Sequence, residues 1–188
     1  MRLHYDRADA LSGEECDAAI ALADEAAMAM APVYGGGFDY VPPDRVRRVG
    51  QALRTRENGP DWLFDRLDAL FAEAAEALGV EVAPMAEPVQ ILRYGPGDHF
   101  QAWHTDAGID RVDERLLSVS IELSDPGDHE GGALEILPDL VGRGRTLKRG
   151  GARLFFSRGL HRVTPVTRGV RWAIVNWTPP ARRTSAPA

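Results

Sequence analysis

Leu117-Ser118-Val119-Ser120-Ile121-Glu122-Leu123-Ser124 alternates apolar and polar residues without a break. Successive side chains of a β-strand point to opposite faces. Leu117, Val119, Ile121 and Leu123 therefore share one face, and Ser118, Ser120, Glu122 and Ser124 share the other. Working outward, short runs of the same texture recur at 89–94, 134–137, 152–156 and 170–177, divided by Gly, Pro and Asp. Many short strands separated by such turns predict a β-barrel or sandwich over 81–178.

Upstream the texture is helical. Ser12-Gly13-Glu14-Glu15 has the capping-box form, and an alanine-rich run to about residue 30 places Ala19, Leu22, Ala26 and Met30 at helical spacing. A second helix is expected from Asn58-Gly59-Pro60, with an apolar stripe of Trp62, Leu63, Leu67, Leu70, Phe71, Ala74 and Leu78, ended by Gly79. The expectation is an α+β, mainly β chain: one domain over 1–180, with 1–80 as a helical support layer and 181–188 as a flexible tail. Gly35-Gly36-Gly37, between Tyr34 and Phe38, reads either as a lid over a substrate or as a plain connection.

Composition narrows the function. The chain has 188 residues, 44% hydrophobic and 27% charged, which excludes wholesale disorder. No apolar stretch approaches the ~18 residues of a membrane span, and the first residues lack the apolar core of a signal peptide, so a cytoplasmic location without membrane contact is expected. Cys16 stands alone and can make neither an internal disulfide nor a thiolate cluster. A net charge of −6 argues against an extended phosphate-binding surface and hence against nucleic acid as a partner.

The chemistry concentrates in Trp103-His104-Thr105-Asp106 and in His161. On a strand, His104 and Asp106 would project from one face, and the chain between them and His161 is long enough to cross a barrel and return. Two imidazoles and one carboxylate on one side of a metal leave neighbouring positions open, the arrangement of non-haem Fe(II) oxygenases. Arg171 follows the turn signal Thr167-Arg168-Gly169, where a hairpin would bring it beside the strand of His161. Its guanidinium can clamp a distant carboxylate through two hydrogen bonds. Tyr94, on the preceding strand, can reach the same cavity.

These blocks resemble the prolyl-4-hydroxylase-like branch of the iron(II)/2-oxoglutarate dioxygenases. The matching text runs through Leu92-Arg93-Tyr94-Gly95-Pro96-Gly97, His104-Thr105-Asp106, the stretch from Leu117 to Ser124, and Glu130-Gly131-Gly132-Ala133-Leu134. It closes with Leu160-His161-Arg162-Val163-Thr164-Pro165-Val166 and Arg168-Gly169-Val170-Arg171. The resemblance implies a double-stranded β-helix (jelly-roll) core, with His104, Asp106 and His161 as iron ligands. It implies Arg171 as the residue that binds the far carboxylate of 2-oxoglutarate, and Tyr94 as a wall of that pocket; Arg168, within the turn, is the rival clamp and is expected to face solvent. The implied cofactors are Fe(II), 2-oxoglutarate and O2, with ascorbate as a candidate reductant. The implied reaction hydroxylates a C–H bond of an amino-acid, peptidyl or small natural-product substrate and releases succinate and CO2. Asp106 weighs against a halogenase, which needs that position vacated for halide. A nucleic-acid demethylase of the same chemistry and a non-enzymatic metal- or ligand-binding jelly-roll sensor are the alternatives.

One position departs from the family. Many relatives carry an aromatic residue where this chain has Glu122, whose carboxylate would repel another unless protonated or paired with a cation. A substrate amine and plain solvent are its two readings, and Glu122, Ser120 and Gln90 are the candidate substrate contacts. His99 and His129 are expected to be non-ligands, His129 as a solvated loop imidazole. Trp103, Trp172 and Trp177 either shape the pocket or pack in the core. Arg143, Arg145, Lys148 and Arg149 read as a solvated loop or an acidic-substrate site. Arg45, Arg47, Arg48, Arg54 and Arg56 are the better substrate-contact candidates, since that region can approach the barrel mouth.

Overall fold

The computed structural model describes residues 3–23, 28–32, 43–107, 115–137 and 147–181. The expectations for the glycine-rich segment, for Arg143 and Arg145, and for most of the tail fall outside these residues. Helix α1 (Gly13–Ala21) starts as expected: the Ser12 hydroxyl accepts from the Glu15 N–H at 3.1 Å, and the Glu15 carboxylate accepts from the Ser12 N–H at 2.8 Å. It is shorter than the alanine pattern suggests. Ala29 and Met30 instead pair with Gln51 and Gly50 as a strand, so sheet pairing overrides helix propensity there. A single turn, α2 (Pro43–Val46), precedes the long helix α3 (Asp61–Leu78), which ends where Gly79 adopts φ +70°.

Twelve strands are described: β1 (His4–Arg7), β2 (Ala29–Met30), β3 (Gly50–Arg54), β4 (Val89–Tyr94), β5 (Phe100–His104), β6 (Leu117–Glu122), β7 (His129–Gly131), β8 (Leu134–Ile136), β9 (Ala152–Phe156), β10 (His161–Val163), β11 (Val166–Gly169) and β12 (Arg171–Thr178). A seven-stranded sheet has the order β1-β9-β6-β12-β4-β3-β2, and the smaller sheets are β5-β10-β8 and β11-β7. These are the sheets of a jelly-roll. Three strands come from the first eighty residues, which are therefore more than a helical layer. They are short and partly exposed, and carry no long alternation to announce them.

The large sheet divides the molecule. Val119, Ile121, Leu154, Ile91 and Ile174 pack against Leu63, Leu67 and Phe71 of α3 and Ala19 of α1, forming the dry side. Its other side carries the polar set. Direct cross-strand partners share a face, so Arg153, Ser120, Val175 and Gln90 form one row and Arg171 and Tyr94 another.

The hairpin expected to join His161 to Arg171 does not form. β10 pairs with β5 and β8, whereas β12 pairs with β4 and β6; β11 intervenes and pairs with β7. Gly169, at φ +74°, makes the crossing: a Cβ there would collide with the Asp128 carbonyl. Arg171 thus enters from the sheet other than that of His161. Pro179–Ala181 are bound in place, with Ala83 donating to the Pro179 carbonyl and Ala181 to that of Glu81. No helix among the described residues is long and apolar enough to cross a membrane.

Candidate active site

His104 closes β5 and His161 opens β10, and the two are direct cross-strand partners with ring centroids 4.2 Å apart. His161 has thus returned beside the first histidine. Each Nδ1 lies 2.9 Å from a carbonyl of its own segment, Ala102 for His104 and Gly159 for His161. Those contacts place the proton on Nδ1 and leave Nε2 of both rings as a donor to metal. Phe100 stacks on His104 at 3.5 Å and Arg47 lies over Phe100 at 5.0 Å, while Phe155 meets His161 edge-on.

Asp106 reaches the same point from just beyond the end of β5, by a turn and not by strand alternation. Its N–H donates to the Ser157 carbonyl at 2.9 Å. Its Oδ2 accepts from the Ser118 hydroxyl at 2.7 Å and lies 3.4 Å from His161 Nε2. The donor atoms of His104, Asp106 and His161 all fall within 4.8 Å of one another. Two neutral imidazole nitrogens and one carboxylate oxygen fit Fe(II) in number and type.

Ser118, Ser157 and Arg115 were not singled out in the sequence. Ser118 and Ser157 bond to each other at 2.9 Å behind Asp106. Arg115 pairs with Glu87, donates to the Asp106 carbonyl at 3.4 Å and lies over Trp177. For Ser118 the signal was present, since it stands on the polar face of the opening octet.

The charges of the three groups are interlocked. Burial, and then the neighbouring His161, push His104 down to about 4. Burial also works against a charged His161, but Asp106 outweighs it and the net shift is upward. Burial would raise Asp106, yet the two histidines and the Ser118 hydroxyl hold it well below the ordinary carboxylate range.

Arg171 lies in the same barrel interior, 4% exposed, with its Cζ 5.4 Å from the ring of Tyr94. Burial pushes the Tyr94 hydroxyl up, so it stays protonated. Among the described residues only Nε of Arg171 has a hydrogen-bond acceptor, Glu122 Oε2 at 2.8 Å. Its two terminal nitrogens remain available to a carboxylate. Gly132, at φ +70°, gives the side chain room: a Cβ there would lie 2.9 Å from Arg171 Cδ. This cradle fits the far end of a 2-oxo diacid. Ser120, Glu122, Leu134 and Arg153 line the adjoining cavity.

Two expectations need correction. Glu122 does not face water; strand β6 buries it against Arg171, the cation that its charge requires. His129 is not a solvated imidazole: β7 turns it inward, with Nε2 4.0 Å from Glu122 Oε1. Gln90 shares the face of Ser120 and accepts from Arg47 Nη2 at 3.4 Å. Neither His99 nor His129 joins the donor set, and Arg168 pairs at the surface with Glu130. Of the basic cluster, Arg47 approaches the histidines, whereas Arg48 is tied to Asp98 and Arg56 to Asp68. Arg149 is held by Asp17 and the Leu123 carbonyl. Trp172 packs on the helix-side core, and Trp103 lies under Arg162.

A jelly-roll with a His-x-Asp…His donor set and a buried arginine defines a class, and the comparisons agree with it. Residues 89–179 match the model of the 2OG-Fe(II) oxygenase superfamily. Among curated relatives, a PKHD-type hydroxylase of Klebsiella pneumoniae subsp. pneumoniae is 42% identical over 91 residues, 45% of this chain and 40% of the relative. Another, from Nitrobacter winogradskyi, is 34% identical over 124 residues, 63% of this chain and 53% of the relative. The chain thus spans about half, or less, of the length of the relatives it matches. The fold is that of a Pseudomonas putida prolyl-4-hydroxylase, with TM-score 0.74 and 19% identity over 95% of this chain and 93% of that one. A Trichoplax adhaerens prolyl hydroxylase solved with a hypoxia-inducible-factor peptide fragment gives TM-score 0.69 at 19% identity, over 94% and 83%.

Proposed function

We propose that the chain is an Fe(II)/2-oxoglutarate-dependent dioxygenase that hydroxylates an unactivated C–H bond of an amino-acid, peptidyl or small natural-product substrate. The observation that carries this reading is one barrel interior holding the His104, Asp106 and His161 donor set together with the buried, cradled guanidinium of Arg171. In this reading His104, Asp106 and His161 hold the iron, Arg171 takes the far carboxylate of 2-oxoglutarate, and Tyr94 walls its pocket. When bound, iron and 2-oxoglutarate supply dioxygen activation, with succinate and CO2 as co-products; ascorbate is the candidate reductant.

The protein's part is orientation and exclusion of water. Ser118 and the Ser157 carbonyl fix the Asp106 carboxylate, the two Nδ1 contacts fix the imidazoles, and Phe100 covers His104. A peptidyl substrate is supported by the Trichoplax relative of the fold, whose structure includes a peptide. Gln90 and Ser120 are the substrate-contact candidates on the interior face.

The test is an anaerobic titration of iron-loaded protein with 2-oxoglutarate, followed by succinate assay over a panel of amino acids and peptides. A visible charge-transfer band and substrate-stimulated succinate are expected, both lost in His104→Ala. A His104→Ala protein with full turnover refutes the assignment.

A further inference from the structure

Glu122 sits on the guanidinium that the proposed function gives to the cosubstrate. Its Oε2 accepts from Arg171 Nε, while its Oε1 is buried without a hydrogen-bond partner among the described residues. His129 Nε2 is equally buried, equally unpartnered, and 4.0 Å from that oxygen. The other ring nitrogen of His129 lies 3.2 Å from the Gly131 carbonyl, which places its proton there and leaves Nε2 as an acceptor. Two acceptors therefore face each other in a buried site. Orphaned buried polar atoms are rare enough to need a reason, and this pair is one proton short of a hydrogen bond.

The charge count supplies that reason. Arg171 and Glu122 together are neutral. A second carboxylate on Arg171 would leave a buried net negative charge, which low-dielectric surroundings penalise strongly. Among the described residues, the other groups facing the site do not offset it. Arg153 on β9 is bound in two hydrogen bonds by Asp6, and Tyr94 on β4 stays neutral. His129 on β7 remains.

We propose that Glu122 and His129 belong to the cosubstrate pocket, and that entry of the far carboxylate of 2-oxoglutarate onto Arg171 is accompanied by uptake of one proton from solvent, held between Glu122 Oε1 and His129 Nε2. This rests on the reading that Arg171 takes that carboxylate. The proton turns an acceptor–acceptor contact into a hydrogen bond and restores neutrality in the same step. Glu122 meanwhile keeps Nε occupied and turns the terminal nitrogens towards the ligand. Affinity for 2-oxoglutarate then weakens about tenfold per pH unit wherever the free pair lacks the proton.

The experiment is calorimetric titration of the manganese-loaded full chain, under mildly alkaline conditions, in two buffers of different ionisation enthalpy. Two titrants are compared: 2-oxoglutarate, and 2-oxopentanoate, which keeps the chelating end and lacks the far carboxylate. The difference between them is expected to be close to one proton taken up. Glu122→Gln, which keeps shape and the bond to Arg171, and His129→Gln should each bring that difference near zero and flatten the pH dependence of Kd. Equal proton uptake for both titrants, or an extra proton retained in both variants, overturns the proposal while leaving the oxygenase reading intact. No binding of 2-oxoglutarate by the native manganese protein overturns both.

Discussion

At Gly132 the backbone and the proposed Arg171 clamp meet. Its φ of +70° is costly for any residue with a Cβ, and that atom would press on Arg171 Cδ and Val166 Cγ2, each at 2.9 Å. Gly132→Ala is expected to lower stability by about 1–3 kcal/mol, measured by denaturant unfolding. It should also raise KM for 2-oxoglutarate several-fold with a smaller change in kcat. The metal donors make a second residue-scale prediction. His104, pushed down to about 4, stays neutral in the folded chain while the unfolded chain takes a proton below the ordinary 6.5. It therefore contributes a loss of stability as pH falls from 6.5 towards 4. His161, shifted upward, contributes stability below 6.5 that is lost as pH rises through its folded value. Asp106, shifted downward, contributes stability above the ordinary carboxylate value, lost only in stronger acid. Chelator-treated protein should thus show its highest Tm near 6.5. His104→Gln should flatten the acid limb and Asp106→Asn the alkaline one. At this scale His104, Asp106, His161 and Arg171 were all legible as chemistry-bearing residues. The inward turn of His129 was not, because Asp125-Pro126-Gly127-Asp128 reads as a solvated turn, whereas the burial depends on β11 pairing from far along the chain.

Among the elements, α3 and β6 were legible for the same reason: each carries a period long enough to count. The stripe from Leu63 to Ala74 is bounded by Pro60 and Gly79, and the observed helix lies between those marks. Strands β5, β7, β10 and β11 have only three to five residues, too few to display alternation, and Thr167-Arg168-Gly169 looks like a turn because its glycine is the crossing point. What such short strands do is fixed by pairing, which is non-local. Their independence from the helical side can be measured. Leu67, wholly buried on α3, packs on the face of the large sheet away from the metal donors. Leu67→Ala is expected to cost about 2–5 kcal/mol in unfolding free energy. Manganese affinity of the folded variant, read by titration, should stay within a factor of about two, because among the described residues neither the three donors nor Ser118 and Ser157 belong to that cluster.

Taken as a molecule, the chain places the two halves of its proposed cosubstrate site on different sheets. His104 and His161 belong to the three-stranded sheet, Arg171 and Glu122 to the seven-stranded one, and Asp106 is tied to the latter through Ser118 on β6. A 2-oxo diacid that chelates at one end and meets Arg171 at the other therefore bridges the sheets, and its binding energy opposes their separation. A ligand at a hundred times its Kd stabilises the native state by about 2.7 kcal/mol. For a chain of this length that corresponds to a Tm increase of roughly 5–10 °C. Manganese alone should give one increment, set by the three donors. 2-Oxoglutarate should add a second that 2-oxopentanoate, reaching only one sheet, does not match. Arg171→Met should keep the first increment and lose the second, because the neutral side chain fills the cradle above Gly132 but offers the far carboxylate nothing to bind. Thermal unfolding monitored for the four combinations of metal and oxoacid measures this directly. Equal increments from the two oxoacids in the native protein would mean that the diacid is held at its chelating end alone, and that the two sheets are joined by the donor set without help from Arg171.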